Sequence, residues 1–145
     1  MERGERTDCE AVLRSVDIFA DFPEEFLRRL AAVSELMEFP AGTVIVKQGD
    51  PATAFFAVTK GMLEVSVDQQ GRSQAIASLH PGQFFGEMAL LTKGNRMATV
   101  RATDDVECLV LEKHAFDAEL HRDPNAAAVL ATRMARRVAG YRRQV

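Results

Sequence analysis

The sequence holds only two cysteines, Cys9 and Cys108, widely separated and outside any CxxC pair. Such spacing excludes the dense disulfide framework of a small secreted protein and the paired thiolates of a structural zinc site, so reduced intracellular thiols are expected. Histidine is also scarce, with three residues. His80, His114 and His121 lie close neither to one another nor to a cysteine, and no metal ligands or metal cofactor are assigned. Nucleophile motifs of the GxSxG kind are missing and no compact acid/base group can be named, which leaves no catalytic residue and argues against an enzyme. No apolar run approaches the ~18 residues of a membrane span, and the charged start Met1-Glu2-Arg3-Gly4-Glu5-Arg6 leads into no apolar h-region. A soluble cytoplasmic protein with no membrane partner is the expectation. An excess of positive charge is also lacking: the formal net charge is −3 and the pI is near 5.6. Direct DNA binding, which needs many Lys and Arg side chains on phosphates, is therefore not expected.

Apolar residues, in contrast, make up 47% of the chain, enough for one core at this length. The sequence reads as a single domain over 1–145, with N-terminal helices in 8–34, a β-roll in 35–112 and C-terminal helices in 113–143. Val12, Leu13, Val16 and Phe19 follow Asp8, a potential cap, at roughly helical spacing, and predict one short helix over 8–20. A second helix is expected from about Pro23 to Ser34. Glu24 and Glu25 suit the positive end of its dipole, and Phe26, Leu27, Leu30, Ala31 and Val33 form its apolar face.

From residue 35 short segments rich in Val, Ile, Phe and Thr alternate with glycines, the punctuation of strands and turns. Strands are predicted at 36–39, 43–47, 55–59, 63–68, 74–79, 98–102 and 106–111. Of Phe84 and Phe85, at least one is expected in the core. Met62 to Val67 alternates and runs into Asp68-Gln69-Gln70-Gly71-Arg72, which predicts a hairpin. The fold class is α+β, mainly β: an eight-stranded antiparallel β-roll, jelly-roll-like, with N-terminal helices, a short helix near residue 88 and C-terminal helices. After Glu112, Phe116 and Leu120 stand one helical turn apart, and Asp123-Pro124 reads as a cap and a first-turn proline. Leu130, Met134, Val138 and Tyr141 then form one stripe, with Gly140 a potential fraying point. Residues 126–145 carry Arg133, Arg136, Arg137, Arg142 and Arg143 and no acid, so all 21 acidic residues lie upstream. The ordinary reading of these arginines is a solvated helix face that complements the negative end of the dipole.

One segment interrupts the strands: Phe84-Phe85-Gly86-Glu87-Met88-Ala89-Leu90-Leu91, then Thr92-Lys93-Gly94-Asn95, then Arg96-Met97-Ala98-Thr99-Val100. A glycine before a helical turn lets backbone approach a ligand and points NH groups outward, which suits an anion. Arg96 adds a permanent charge and a fork of donors matched to phosphate oxygens. Glu87 can accept a hydroxyl proton. A carboxylate beside an anion site makes sense when the ligand also offers donors. The bland alternative is an ion pair between Arg96 and Glu87.

The segment resembles the phosphate-binding cassette of the cyclic-nucleotide-binding family, Phe-Gly-Glu-x-Ala-Leu, a short gap, then Arg-(Ser/Thr)-Ala-x-Val. Three further stretches resemble the family's glycine signatures: Pro40-Ala41-Gly42-Thr43-Val44-Ile45, Gln48-Gly49-Asp50-Pro51 and Lys60-Gly61-Met62-Leu63-Glu64-Val65. The resemblance covers about residues 10–140. It implies that Glu87 holds a ribose 2′-hydroxyl and Arg96 the cyclic phosphate, while Gly86, Met88, Ala89 and Ala98 line the pocket. It also implies that the last helix closes as a lid, with Arg133, Arg137 and Tyr141 as candidate contacts to the purine. The position after the arginine is usually Ser or Thr, whose hydroxyl donates to the phosphate, and here it is Met97. A lost hydrogen bond to a charged group costs roughly 1.5–3 kcal/mol.

The implied function is a sensor for a cyclic nucleotide, cAMP favoured and cGMP the other candidate. Ligand closes the lid and so alters an interface with an effector protein or a second copy of the chain. The family's transcription regulators place a helix-turn-helix after the long helix. Here the sequence stops at Val145, so the readout is expected from a partner, self-association or a domain outside this sequence. The competing expectation is a non-enzymatic interaction or scaffold module whose pocket has degenerated.

Overall fold

The computed structural model describes residues 8–144, with side chains over 8–136. Eight antiparallel strands form the centre: β1 Glu35–Phe39, β2 Val44–Val46, β3 Ala54–Lys60, β4 Leu63–Gln69, β5 Arg72–Leu79, β6 Phe84–Phe85, β7 Thr99–Ala102 and β8 Val106–Glu112. They pair as two four-stranded sheets, in the orders β1-β8-β3-β6 and β2-β7-β4-β5. This is the mainly β, α+β roll that the residue pattern predicts. The hairpin expected over 62–72 is β4–β5, closed by Gln70 (φ 54°) and Gly71 (φ 81°). Two successive left-handed residues give a turn whose twist matches that of the flanking strands.

The two central strands of the first sheet, β3 and β8, are buried on both faces and so read as near-continuous apolar runs rather than alternating ones. Alternation still sorts their side chains. Phe55, Ala57, Leu109 and Leu111 face the helices, where Leu13, Phe19, Phe26, Leu30 and Phe116 meet them. Phe56, Val58, Cys108 and Val110 face the interior of the roll, against Leu63, Val100 and Ala102 of the second sheet. Burying one such phenylalanine contributes about 1.5–3 kcal/mol, so the two clusters hold the sheets and helices as one body. Burial also pushes the Cys108 thiol up to about 12, with the neighbouring Glu107 charge adding to the effect, so it stays protonated and inert.

The helices are α1 Cys9–Arg14, α2 Glu24–Val33, α3 Met88–Leu91, α4 Lys113–His121 and α5 Pro124–Gln144. The single helix predicted over 8–20 does not form. The Ser15 hydroxyl donates to the Val12 carbonyl, Val16 turns extended (φ −86°, ψ 131°), and a separate 3-10 turn follows at Asp17–Phe19. The break lets Val16, Ile18 and Phe19 all reach the core, which one straight helix could not achieve. Asp8 caps α1, accepting from the Ala11 amide at 3.1 Å. Pro23 sits one position earlier than predicted, at the cap of α2. Asp123 caps α5 as expected, accepting from the Ala126 amide at 3.0 Å. Arg29 of α2 ties the helical layer together by reaching Glu119 at 3.2 Å and Asp123 at 2.6 Å. The last helix continues through Gly140. Leu130 and Met134 of its stripe are half-buried, while the side chains of Val138 and Tyr141 lie outside the described residues. Among the described residues no helix is long and apolar enough to cross a membrane.

Candidate functional site

The segment 84–100 leaves the first sheet through β6 and rejoins the second through β7. Phe84 and Phe85 point to opposite sides, as neighbours on a strand must. Phe84 packs toward Phe55 in the helix-side core (centroids 5.9 Å apart), whereas Phe85 stacks on Phe56 (4.8 Å, 3°) at the other face. Gly86 then adopts φ +82°, which an L side chain rarely tolerates. It turns the chain into α3, a single turn anchored by buried Ala89 and Leu90.

Arg96 comes from the other side, held by its own backbone. Its amide donates to the Asp50 carbonyl at 2.7 Å, and its carbonyl accepts from the Gly49 amide at 2.8 Å. The Ala52 amide donates to the Gly94 carbonyl at 2.9 Å, and Pro51 bridges Asn95. This lacing gives the Gln48-Gly49-Asp50-Pro51 stretch a role: it fixes where the arginine starts. The half-buried guanidinium donates through Nη2 to the Ala54 carbonyl at 2.7 Å and lies over the Phe56 ring at 5.6 Å. Among the described residues no carboxylate pairs with it, so the alternative ion pair with Glu87 does not form. Burial alone pulls its pKa below the ordinary arginine value. The other inward-turned arginines differ: Arg29 and Arg133 each meet two carboxylates.

Gly86, Glu87, Met88, Ala89, Arg96, Met97 and Ala98 all line one cleft of about 460 Å³. The topology thus brings together every cassette residue singled out in the sequence. Glu87, half-buried, shares the cleft with Arg96. Sequence reasoning missed the apolar wall, a cross-strand row of Val46, Val100 and Val65. Their inward alternation was legible, but which inward positions stay open to a ligand depends on how the two sheets diverge. It also missed Phe56 and the Ala54 carbonyl, which position the guanidinium and carry no sequence signature.

Met97 is 87% exposed at the cleft. The hydroxyl two residues on, that of Thr99, accepts from the Gln48 amide at 3.0 Å and does not line the cleft. Arg133, a candidate contact to a base, does not line the cleft. It pairs with Asp17 at 3.1 Å and Asp21 at 3.3 Å, on the N-terminal side of the molecule. The other two candidates, the side chains of Arg137 and Tyr141, lie outside the described residues. Among the described residues no cluster of His, Cys, Asp or Glu could hold a metal.

Known proteins resemble this chain in sequence and in fold. Over 108 residues the chain is 32% identical to cGMP-dependent protein kinase 2 of Homo sapiens, which covers 72% of this chain and 14% of the kinase. It is 33% identical over 108 residues to a cAMP-dependent protein kinase regulatory subunit of Blastocladiella emersonii, covering 74% of this chain and 27% of that subunit. The chain therefore spans a minor part of both relatives. Among solved structures, the N-terminal domain of a transcriptional regulator from Streptomyces coelicolor A3(2) superposes with a TM-score of 0.82 at 28% identity, over 92% of this chain and 94% of that one. A family model for the cyclic nucleotide-binding domain matches residues 36–123, the whole roll with its cassette, and the chain belongs to that family.

Proposed function

We propose that the chain is a sensor whose cleft binds a cyclic purine nucleotide. The observation that carries this reading is Arg96, a desolvated cation without a carboxylate partner that lines the same cleft as Glu87. A half-buried charge left unpaired by protein is costly unless something else neutralises it. A singly charged cyclic phosphodiester does so, and its ribose hydroxyl gives Glu87 a donor to bind. In this reading Arg96 holds the phosphate and Glu87 the 2′-hydroxyl. The backbone of Gly86, Met88, Ala89 and Ala98 closes around the sugar, and the valine row receives the apolar part of the ligand. The relatives named above are cAMP- and cGMP-dependent, so they do not choose between the nucleotides. Met97 favours cAMP, because the hydroxyl it replaces is one that a guanine ligand can also use. The last helix closes over the cleft as a lid, Arg137 and Tyr141 being its candidate contacts, and its movement alters a surface read by a partner protein or a second copy. The chain acts by binding, inside the cell, and not by catalysis.

Calorimetric titration of wild type and Arg96→Ala with cAMP and with cGMP tests this. The expected result is saturable binding to wild type, tighter for cAMP, that weakens by at least ~30-fold in Arg96→Ala, equivalent to roughly 2 kcal/mol. Absence of binding to wild type by either nucleotide would favour a scaffold module with a vestigial cleft. Tighter cGMP binding would refute the preference alone.

A further inference from the structure

Strand β4 outruns its neighbour. Its pairing with β7 runs from Leu63 opposite Ala102 to Ser66 opposite Thr99, the first residue of β7, so Val67, Asp68 and Gln69 have no β7 residue beside them. At Asp68 that place is filled by the half-buried side chain of Gln48, in the turn after β2. Its Oε1 accepts from the Asp68 amide at 2.7 Å, and its Nε2 donates to the Asp68 carbonyl at 3.4 Å. A carboxamide carries the same kinds of donor and acceptor as a peptide group, so it can stand in for a strand neighbour. The backbone of the same turn holds the cassette. The Gln48 amide donates to Thr99 Oγ1 at 3.0 Å, the Gly49 amide donates to the Arg96 carbonyl at 2.8 Å, and the Asp50 carbonyl accepts from the Arg96 amide at 2.7 Å. Gln48, Asp68 and Thr99 do not line the cleft.

We infer that Gln48 is a positioning residue of the anion site: it joins the end of β4 to the turn that holds Arg96, so the aim of the guanidinium depends on the β4–β5 hairpin. This rests on the binding proposed above and deepens it. A long side chain that donates to a phosphate is best held in place before the ligand arrives, since otherwise its ordering subtracts from the binding free energy. Arg96 takes its hold from Phe56, the Ala54 carbonyl and the turn. The turn takes part of its own from Asp68 and Thr99. Releasing Gln48 therefore loosens Arg96 without removing any ligand contact. Hydrogen bonds of this kind are individually modest, so the loss is about threefold to tenfold in affinity. Because cAMP and cGMP present the same phosphate, both lose by the same factor. Coupling is reciprocal, so bound nucleotide in turn steadies the Asp68 amide.

The test is titration of Gln48→Met, Thr99→Val and Thr99→Ser with cAMP and with cGMP, beside amide hydrogen exchange followed residue by residue by NMR. Methionine matches the length of glutamine without its carboxamide, and valine matches the shape of threonine without its acceptor. Gln48→Met and Thr99→Val are expected to weaken both nucleotides by about threefold to tenfold. Thr99→Ser, which keeps the hydroxyl, should bind as wild type does. Added to Arg96→Ala, Gln48→Met should lose nothing further, because it acts through the guanidinium. Wild-type affinity in Gln48→Met, or an undiminished loss on the Arg96→Ala background, overturns the positioning role. Without nucleotide, Gln48→Met should speed exchange of the Gly49 and Arg96 amides as well as that of Asp68. Faster exchange at Asp68 alone, or at none of the three, overturns the role too. If wild type binds neither nucleotide, these rates still decide whether Gln48 holds Arg96, and only the binding reading falls. Saturating cAMP should slow Asp68 exchange in wild type, and an unaltered rate in a protein that binds cAMP would refute the coupling to the hairpin.

Discussion

The backbone of Gly86 and the guanidinium of Arg96 are in mutual contact: a Cβ placed on Gly86 would stand 2.7 Å from Arg96 Nη1 and 3.0 Å from the Ala54 carbonyl oxygen that Nη2 binds. The glycine is needed twice over, for its φ of +82° and for the room its missing side chain leaves to the Arg96 guanidinium. Gly86→Ala should therefore lower unfolding free energy by about 1–3 kcal/mol through backbone strain, read from urea denaturation. It should also displace Arg96 and reduce cAMP affinity toward that of Arg96→Ala. Full affinity in a folded Gly86→Ala protein would show that the guanidinium does not depend on this contact.

Met97 is the place to add an interaction. Its side chain is 87% exposed, so replacing it disturbs no packing. Met97→Thr supplies the donor the cleft lacks and is expected to tighten cyclic nucleotide binding by roughly tenfold or more, the worth of a hydrogen bond to a charged acceptor. The gain should be larger for cGMP than for cAMP. Met97→Leu, with no hydroxyl, should bind as wild type does. Competition between the two nucleotides on each variant measures both effects, and equal behaviour of the Thr and Leu variants would remove the hydroxyl from the account.

Asp123 makes stability depend on pH in a definite direction. The Ala126 amide first, and then Arg29, hold its carboxyl below the ordinary aspartate value. The unfolded chain, with an Asp pKa of about 3.9, takes up the proton before the native protein does. The contribution is therefore fully present above the unfolded value and is lost as pH falls through the native one. Asp123→Asn keeps an acceptor for the Ala126 amide but no charge for Arg29. Its stability deficit relative to wild type should be greatest near neutral pH and shrink below about pH 4. Thermal unfolding at a series of pH values measures it, and a deficit that does not change with pH would assign Asp123 a purely neutral capping role.

The cassette was legible because its residues lie within one short segment that, together with the glycine stretches at 40–45, 48–51 and 60–65, resembles the cyclic-nucleotide-binding family. Taken singly, Gly86, Glu87 and Arg96 are ordinary residues. The strands were legible through Val, Ile and Phe placed between glycine turns. The N-terminal helix was misread because Val12, Leu13, Val16 and Phe19 fit helical spacing, although it is tertiary packing that decides whether Ile18 also gains a place in the core. Only a break at Ser15 admits it.

The sequence by itself determined the roll, the hairpin turn at Gln70-Gly71, the capped starts of α1 and α5 and the residues of the cassette, since each follows from interactions within a few positions. Tertiary structure decided what Arg96 and Arg133 do. The two arginines are chemically identical and equally conspicuous in the sequence, yet one was left without a carboxylate in a cleft and the other was given two. An ion pair forms according to which charges the fold carries into reach, and Asp17 and Asp21 stand more than a hundred positions away from Arg133 along the chain.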